Sequence, residues 1–245
     1  MTLLEGIVLI AAGAAAGFIN ALAGGGSAIT IPILTEMVGI NTANGTNRVA
    51  ILLANLTAIA GYQKGEAVPW RRVSVLLLPT VIGAAAGAWL STITPPDVLR
   101  MVFAVVLLLV AASVVVRPSR WLEDREAALH EPWRSIVFFG IGFYGGFVQA
   151  GVGFILLAGL VLGAGMNLVN GNAAKVVLVA AYSPIAILLF ARASQVDLAI
   201  GAVLAVGQMS GAWAGSRLAV LKGAAWIRWV LVAAALVAAA RLAFG

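Results

Sequence analysis

The stretch Gly17-Phe18-Ile19-Asn20-Ala21-Leu22-Ala23-Gly24-Gly25-Gly26-Ser27 closes one apolar run and opens the next. A likeness of its first eight residues returns 129 positions on (146 − 17), as Gly146-Phe147-Val148-Gln149-Ala150-Gly151-Val152-Gly153. Three more matches follow in the same order. Asn44-Gly45 pairs with Asn170-Gly171 at an offset of 126, and Arg48 falls near Lys175. Gly83-Ala84-Ala85-Ala86-Gly87-Ala88-Trp89 pairs with Gly207-Gln208-Met209-Ser210-Gly211-Ala212-Trp213 at 124. Leu99-Arg100-Met101-Val102 pairs with Ile227-Arg228-Trp229-Val230 at 128. One such match is cheap in a chain rich in Gly and Ala. Four in order point to two copies of one unit.

Outward from these motifs the chain divides into ten apolar segments: 4–23, 27–40, 44–62, 73–92, 98–116, 134–151, 153–165, 170–191, 196–216 and 225–243. Most approach the roughly 20 residues needed to cross a bilayer. Segments 27–40 and 153–165 have 14 and 13 residues, so as helices they reach only about 20 Å against a core of about 30 Å. The runs are too long, and too little alternating, for barrel strands. Of the 245 residues, 62% are hydrophobic and 10% are charged, far below the roughly 25% charged residues of a soluble domain. The expected fold is an all-α polytopic membrane protein of two repeats. Residues 1–116 form the first, 117–133 a polar cytoplasmic linker and 134–245 the second. No cysteine is present, which excludes disulfides and thiolate chemistry. The first eleven residues hold no Lys or Arg, and although Ala21-Leu22-Ala23 looks like a cleavage tripeptide, the recurrence of its surroundings at 146–153 makes the amino-terminal run read as a retained span.

The net charge of +6 reads as a topology signal, not as a nucleic-acid footprint, because no basic run or aromatic-basic interleaving accompanies it. Lys64, Arg71 and Arg72 lie in one loop, Arg217 and Lys222 in another, and Arg117, Arg120, Arg125 and Arg134 in the linker. Five crossings per copy would invert the second copy and bring all three clusters to one side, the cytoplasmic one by the positive-inside rule. Inverted repeats with short interrupted helices are the architecture of secondary transporters.

The two short segments start at Gly24-Gly25-Gly26-Ser27 and at Gly151-Val152-Gly153. Non-helical backbone at membrane depth is tolerated only where protein or a wet cavity surrounds it. A helix starting there aims free amides and its positive end at a ligand. Asn20 and Gln149 precede the breaks. Ser27 and Thr30 add hydroxyls, Asn44, Thr46, Asn47 and Arg48 follow the first short segment, and Asn170, Asn172 and Lys175 follow the second. An unpaired cation at mid-membrane costs about 2.5–3.5 kcal/mol, which a bound small anion would offset. Blander readings stand beside this one. The glycines could serve helix packing alone, as Gly83, Gly87, Gly207 and Gly211 do on the simplest reading. Arg48 and Lys175 could snorkel, and Asn20 and Gln149 could be interhelical partners. Glu36 is either a proton carrier or interfacial, and His130 in the linker reads as solvated.

No catalytic constellation, metal-ligand spacing or phosphate-binding loop is visible, so neither an enzyme nor a cofactor is expected. Gly17-Phe18 through Gly24-Gly25-Gly26, then Pro32, Gly45-Thr46-Asn47-Arg48, Tyr62 and Gly65 resemble the TauE/SafE sulfite-exporter family, as do Gly146 to Gly153, Asn170 and Lys175 in the second copy. The resemblance implies a multi-pass protein of the bacterial inner membrane that exports sulfite, sulfoacetate or a related organosulfonate. The expected mechanism is alternating access. A passive anion channel and a non-transporting scaffold are the competing readings.

Overall fold

The computed structural model describes residues 1–98, 101 and 126–244. Segment 98–116, apart from residues 98 and 101, and the expected repeat boundary at 116–117 therefore lie outside the described residues. The described elements are helices α1 (Leu3–Leu22), α2 (Ser27–Val38), α3 (Ile40–Gln63), α4 (Trp70–Ile93), α5 (Trp133–Phe147), α6 (Val152–Ala158), α7 (Leu168–Arg192) and α8 (Leu198–Phe244). A π-helical turn, Gly159–Gly163, continues α6. The fold is all-α and polytopic. Among the described residues four helices, Leu3–Leu22, Trp70–Ile93, Leu168–Arg192 and the Leu198–Ile227 part of α8, are long and apolar enough to cross a membrane.

Local chemistry sets the boundaries. Thr2 and Glu5 form a reciprocal capping box that starts α1. Asn167 accepts the Val169 and Asn170 amides at the start of α7, and Asp197 accepts the Ile200 amide at the start of α8. Gly39, at φ 75°, turns α2 directly into α3. Consequently residues 41–43, which the segment bounds leave as a connection, lie inside α3 together with Asn44 to Arg48. Segment 134–151 overran its helix, since α5 ends at Phe147. The expected gap between 196–216 and 225–243 is a single non-helical residue, Gly223.

Helix α1 lies along α8 and α5 along α4. Helix α3 packs on α8 and α7 on α4, while α3 and α7 meet between them. Small residues make the close seams. A Cβ on Gly83 would strike the Phe139 carbonyl and the Phe143 amide, and one on Gly211 the Ala14 carbonyl and the Phe18 amide. Positions 139 and 143 exceed 14 and 18 by 125, and 211 exceeds 83 by 128. Likewise Gly142 abuts Thr80 as Gly17 abuts Gln208, again at 125 and 128. Each fourth helix thus grips the first helix of the other half. The sequence matches at 129 and 124 are each one helical turn away from this register. We expect Gly211→Val to abolish the yield of folded protein, because the obstacle is backbone. Gly140→Val, whose Cβ meets nothing within 4 Å, should behave as wild type in size-exclusion chromatography.

Two pockets collect described members of the basic clusters. Lys64 and Arg217 line one pocket, Arg72 and Arg134 another, and only a short loop separates Lys64 from Arg72. Arg134 pairs with Glu131 at 2.8 Å.

Candidate functional site

The two helix breaks face each other in the middle of the molecule. Gly24 (φ 92°) lies against Gly153 so closely that a Cβ on either would collide with the backbone of the other. Gly151 (φ 73°) takes the left-handed conformation that starts α6. At Gly24 glycine is required twice over, by φ and by space. Gln149, a non-glycine residue, is also held at φ 66°, which is strained for a residue with a side chain.

Between the breaks is a cavity lined by Asn20, Gly24, Ser27, Gln149, Gly153 and Lys175, and by Ile51, Asn55, Val152 and Val179. Its free space is about 20 Å³, room for about one water. The Lys175 ammonium is buried and donates to the Asn20 carbonyl and to Asn172 Oδ1, both at 2.6 Å. Asn20 Oδ1 accepts the Gly26 amide at 2.8 Å. Ser27 Oγ accepts from Asn47 Nδ2 at 3.3 Å. Asn47 Oδ1 in turn accepts from Thr30 Oγ1 at 2.8 Å and Gln208 Nε2 at 3.3 Å.

Arg48 is fully buried but stands one layer behind the cavity. Its Nη1 donates to the Gly145 carbonyl at 3.1 Å and to Gln149 Oε1 at 2.9 Å. Its Nη2 donates to Asn44 Oδ1 at 3.3 Å and to the Gly146 carbonyl at 2.5 Å. The guanidinium also stacks 4.7 Å over Phe190. Neither cation snorkels. Each caps the carbonyl end of the other half's broken helix, Arg48 that of α5 and Lys175 that of α1, where the helix dipole is negative. Their acceptors Gly145 and Asn20 are again 125 positions apart.

The remaining expected site residues fall into two groups. Asn44, Asn47, Gly25, Gly26, Gly151 and Asn172 support the lining. Asn44 donates to the Phe147 carbonyl at 2.8 Å, and Gly25 leaves space for the Phe154 ring. Thr46 and Asn170 lie away from the cavity. The Thr46 hydroxyl accepts the Asp197 amide at 2.9 Å, and the Asn170 backbone caps on Asn167. Glu36 and His130 are exposed. Sequence reasoning missed Asn55 and Tyr182. Both carry a legible signal: each lies seven residues beyond a buried cation, Arg48 or Lys175, on the same helix face.

Among the described residues no Asp or Glu is buried, and no group of His, Cys, Asp or Glu could hold a metal ion. The site therefore combines two unneutralised cations with amide and hydroxyl donors, and its chemistry suits an anion. A larger cavity of about 440 Å³, lined by Arg72, Glu126, Arg134 and Met166 among others, holds no expected site residue.

Comparison with known proteins agrees with this arrangement. The family model for the sulfite exporter TauE/SafE matches residues 9–242. The probable membrane transporter protein YfcA of Escherichia coli K12 is 31% identical over 232 residues, 94% of this chain and 86% of its own. The probable membrane transporter protein ORF9 of a Sinorhizobium species is 31% identical, over 93% and 88% of the two chains. A probable membrane transporter protein of Haemophilus influenzae is 28% identical, over 97% and 94%. No solved structure matches. A multi-pass bundle with paired helix breaks, matched by that family model along nearly its whole length, is a membrane transporter, and the chain belongs to the TauE/SafE sulfite exporter family.

Proposed function

We propose that this protein exports a small sulfur-containing anion, sulfite or an organosulfonate, across the bacterial inner membrane by alternating access of two inverted repeats. One observation carries the reading: the Lys175 ammonium is buried beside a donor-lined cavity between the two helix breaks, with no buried carboxylate among the described residues. A buried cation without a counter-ion is expensive, and a bound anion supplies the missing charge. The Asn20 and Gln149 amide groups, Ser27 and the backbone about Gly24 and Gly153 bind its oxygens. Arg48 holds Gln149 and the end of α5 in place. The basic clusters face the cytoplasm. The cavity has room for about one water, so one half must rock against the other to admit the anion from either side.

Flux from proteoliposomes loaded with sulfite tests this. Carrier transport saturates with internal sulfite. Flux that rises in proportion to concentration over the whole range would instead make the protein a channel, and no flux for any sulfur anion would make it a scaffold.

A further inference from the structure

We propose that Asn55 makes the cavity selective for an anion that carries one proton, hydrogensulfite in preference to sulfite or sulfate. The inference rests on the anion-binding reading above and deepens it. It follows from the direction of each hydrogen bond at the cavity wall.

Asn20 spends its oxygen on the Gly26 amide, so its NH₂ group is what remains to offer. Gln149 spends its oxygen on Arg48 and on the Tyr182 hydroxyl at 3.3 Å. A guanidinium only donates, so this amide cannot be reversed, and again the NH₂ remains. Lys175 uses two N–H groups on Asn20 and Asn172 and keeps a third. Ser27 accepts from Asn47 and retains its own hydrogen. Asn55 is the exception. Its Nδ2 donates to the Ile51 carbonyl at 2.8 Å. Only an NH₂ can make that bond, and Oδ1 has no partner among the described residues. The wall thus offers several donors and one side-chain acceptor.

A fully deprotonated oxyanion satisfies the donors but sets a lone pair against Asn55 Oδ1. An anion with one hydroxyl satisfies both. A neutral acid satisfies Asn55 and leaves the Lys175 charge unmet. A site built to pair a substrate hydroxyl rejects analogues that lack it, because its own buried polar atom is left bare. The titratable groups around the cavity are Lys175 and Tyr182 of α7, Arg48 and Tyr62 of α3 and Tyr144 of α5. No carboxylate is among them.

The test is calorimetric binding of sulfite to the purified protein at several pH values across the second ionisation of sulfurous acid. Sulfate and methanesulfonate serve as proton-free controls. In the wild type, apparent affinity should follow the hydrogensulfite fraction, and both controls should bind about tenfold more weakly, the cost of one cavity-wall acceptor set against a lone pair. Titration of a protein group would move all three anions together and would overturn the proposal. Asn55→Leu should lose the preference for hydrogensulfite while methanesulfonate binds as before or better. Equal wild-type affinity for hydrogensulfite and the controls would overturn the role of Asn55 alone. No binding of any anion at any pH would overturn the anion site itself.

Discussion

Lys175→Met yields a folded protein that has lost its anion. Methionine matches the length of the lysine stem, so the packing of α7 against α3 and α1 survives. The change removes the cost of burying an ammonium, which offsets the two bonds lost at the Asn20 carbonyl and Asn172 Oδ1. Desolvating an ammonium with no counter-charge is among the largest costs of burial, so its removal balances the two acceptors left bare. The anion, by contrast, loses its one directly contacting cation. A hydrogen bond to a charged group contributes about 1.5–3 kcal/mol, so affinity should fall roughly ten- to a hundredfold. A melting series in detergent reads both effects. The unliganded midpoint should stay close to that of wild type, and the upward shift on adding sulfite should vanish. A midpoint that collapses without ligand would make Lys175 a structural residue.

Arg48→Met should do the reverse. Four acceptors depend on that guanidinium: the Gly145 and Gly146 carbonyls, Gln149 Oε1 and Asn44 Oδ1. All lie in the closed interior, where an orphaned acceptor costs about 1–3 kcal/mol. A loss of about 3–5 kcal/mol is expected, comparable to breaking a buried ion pair, and a midpoint lower by roughly 10 °C. Arg48→Lys should recover only part of this, because a single ammonium cannot reach the four acceptors that the planar fork spans. If Arg48→Met keeps the wild-type midpoint and loses only transport, the guanidinium acts on the substrate directly, and its place behind Gln149 is wrong for the transporting state.

That contrast marks what the chain discloses by itself. The all-α character and the two short helices follow from apolar run length, and the close approach of Gly24 to Gly153 answers to the glycine placement. The register between the halves does not. Gly17 reads as the partner of Gly146, yet by contact it corresponds to Gly142. Gly83 reads as the partner of Gly207, yet by contact it corresponds to Gly211. Both slips are one helical turn. A small-residue stripe repeats every four positions, so its sequence aligns equally well one turn away, and only the opposing backbone decides. Arg48 and Lys175 likewise look equivalent in sequence. What separates them is the geometry behind each one. Arg48 meets the carbonyl end of α5 and the strained Gln149. Lys175 meets one carbonyl and one amide oxygen and keeps a donor to spare. Asn55 was hidden because a single amide within an apolar helix usually bonds back to its own turn. It does so here, and only the direction of that bond shows that its oxygen is left over.

The central claim is that the anion sits between the two helix breaks, on Lys175. Selenite has the shape and charge of sulfite and carries a strong anomalous scatterer. A crystal of the wild-type protein grown with selenite, with data collected at the selenium edge, locates the anion without any assumption about the site. The account predicts one dominant selenium peak between Gly24 and Gly153, with its oxygens in hydrogen-bond reach of Lys175 Nζ and the amide groups of Asn20 and Gln149. A dominant peak elsewhere, such as the basic pocket of Arg72 and Arg134, with none between the breaks, would contradict it.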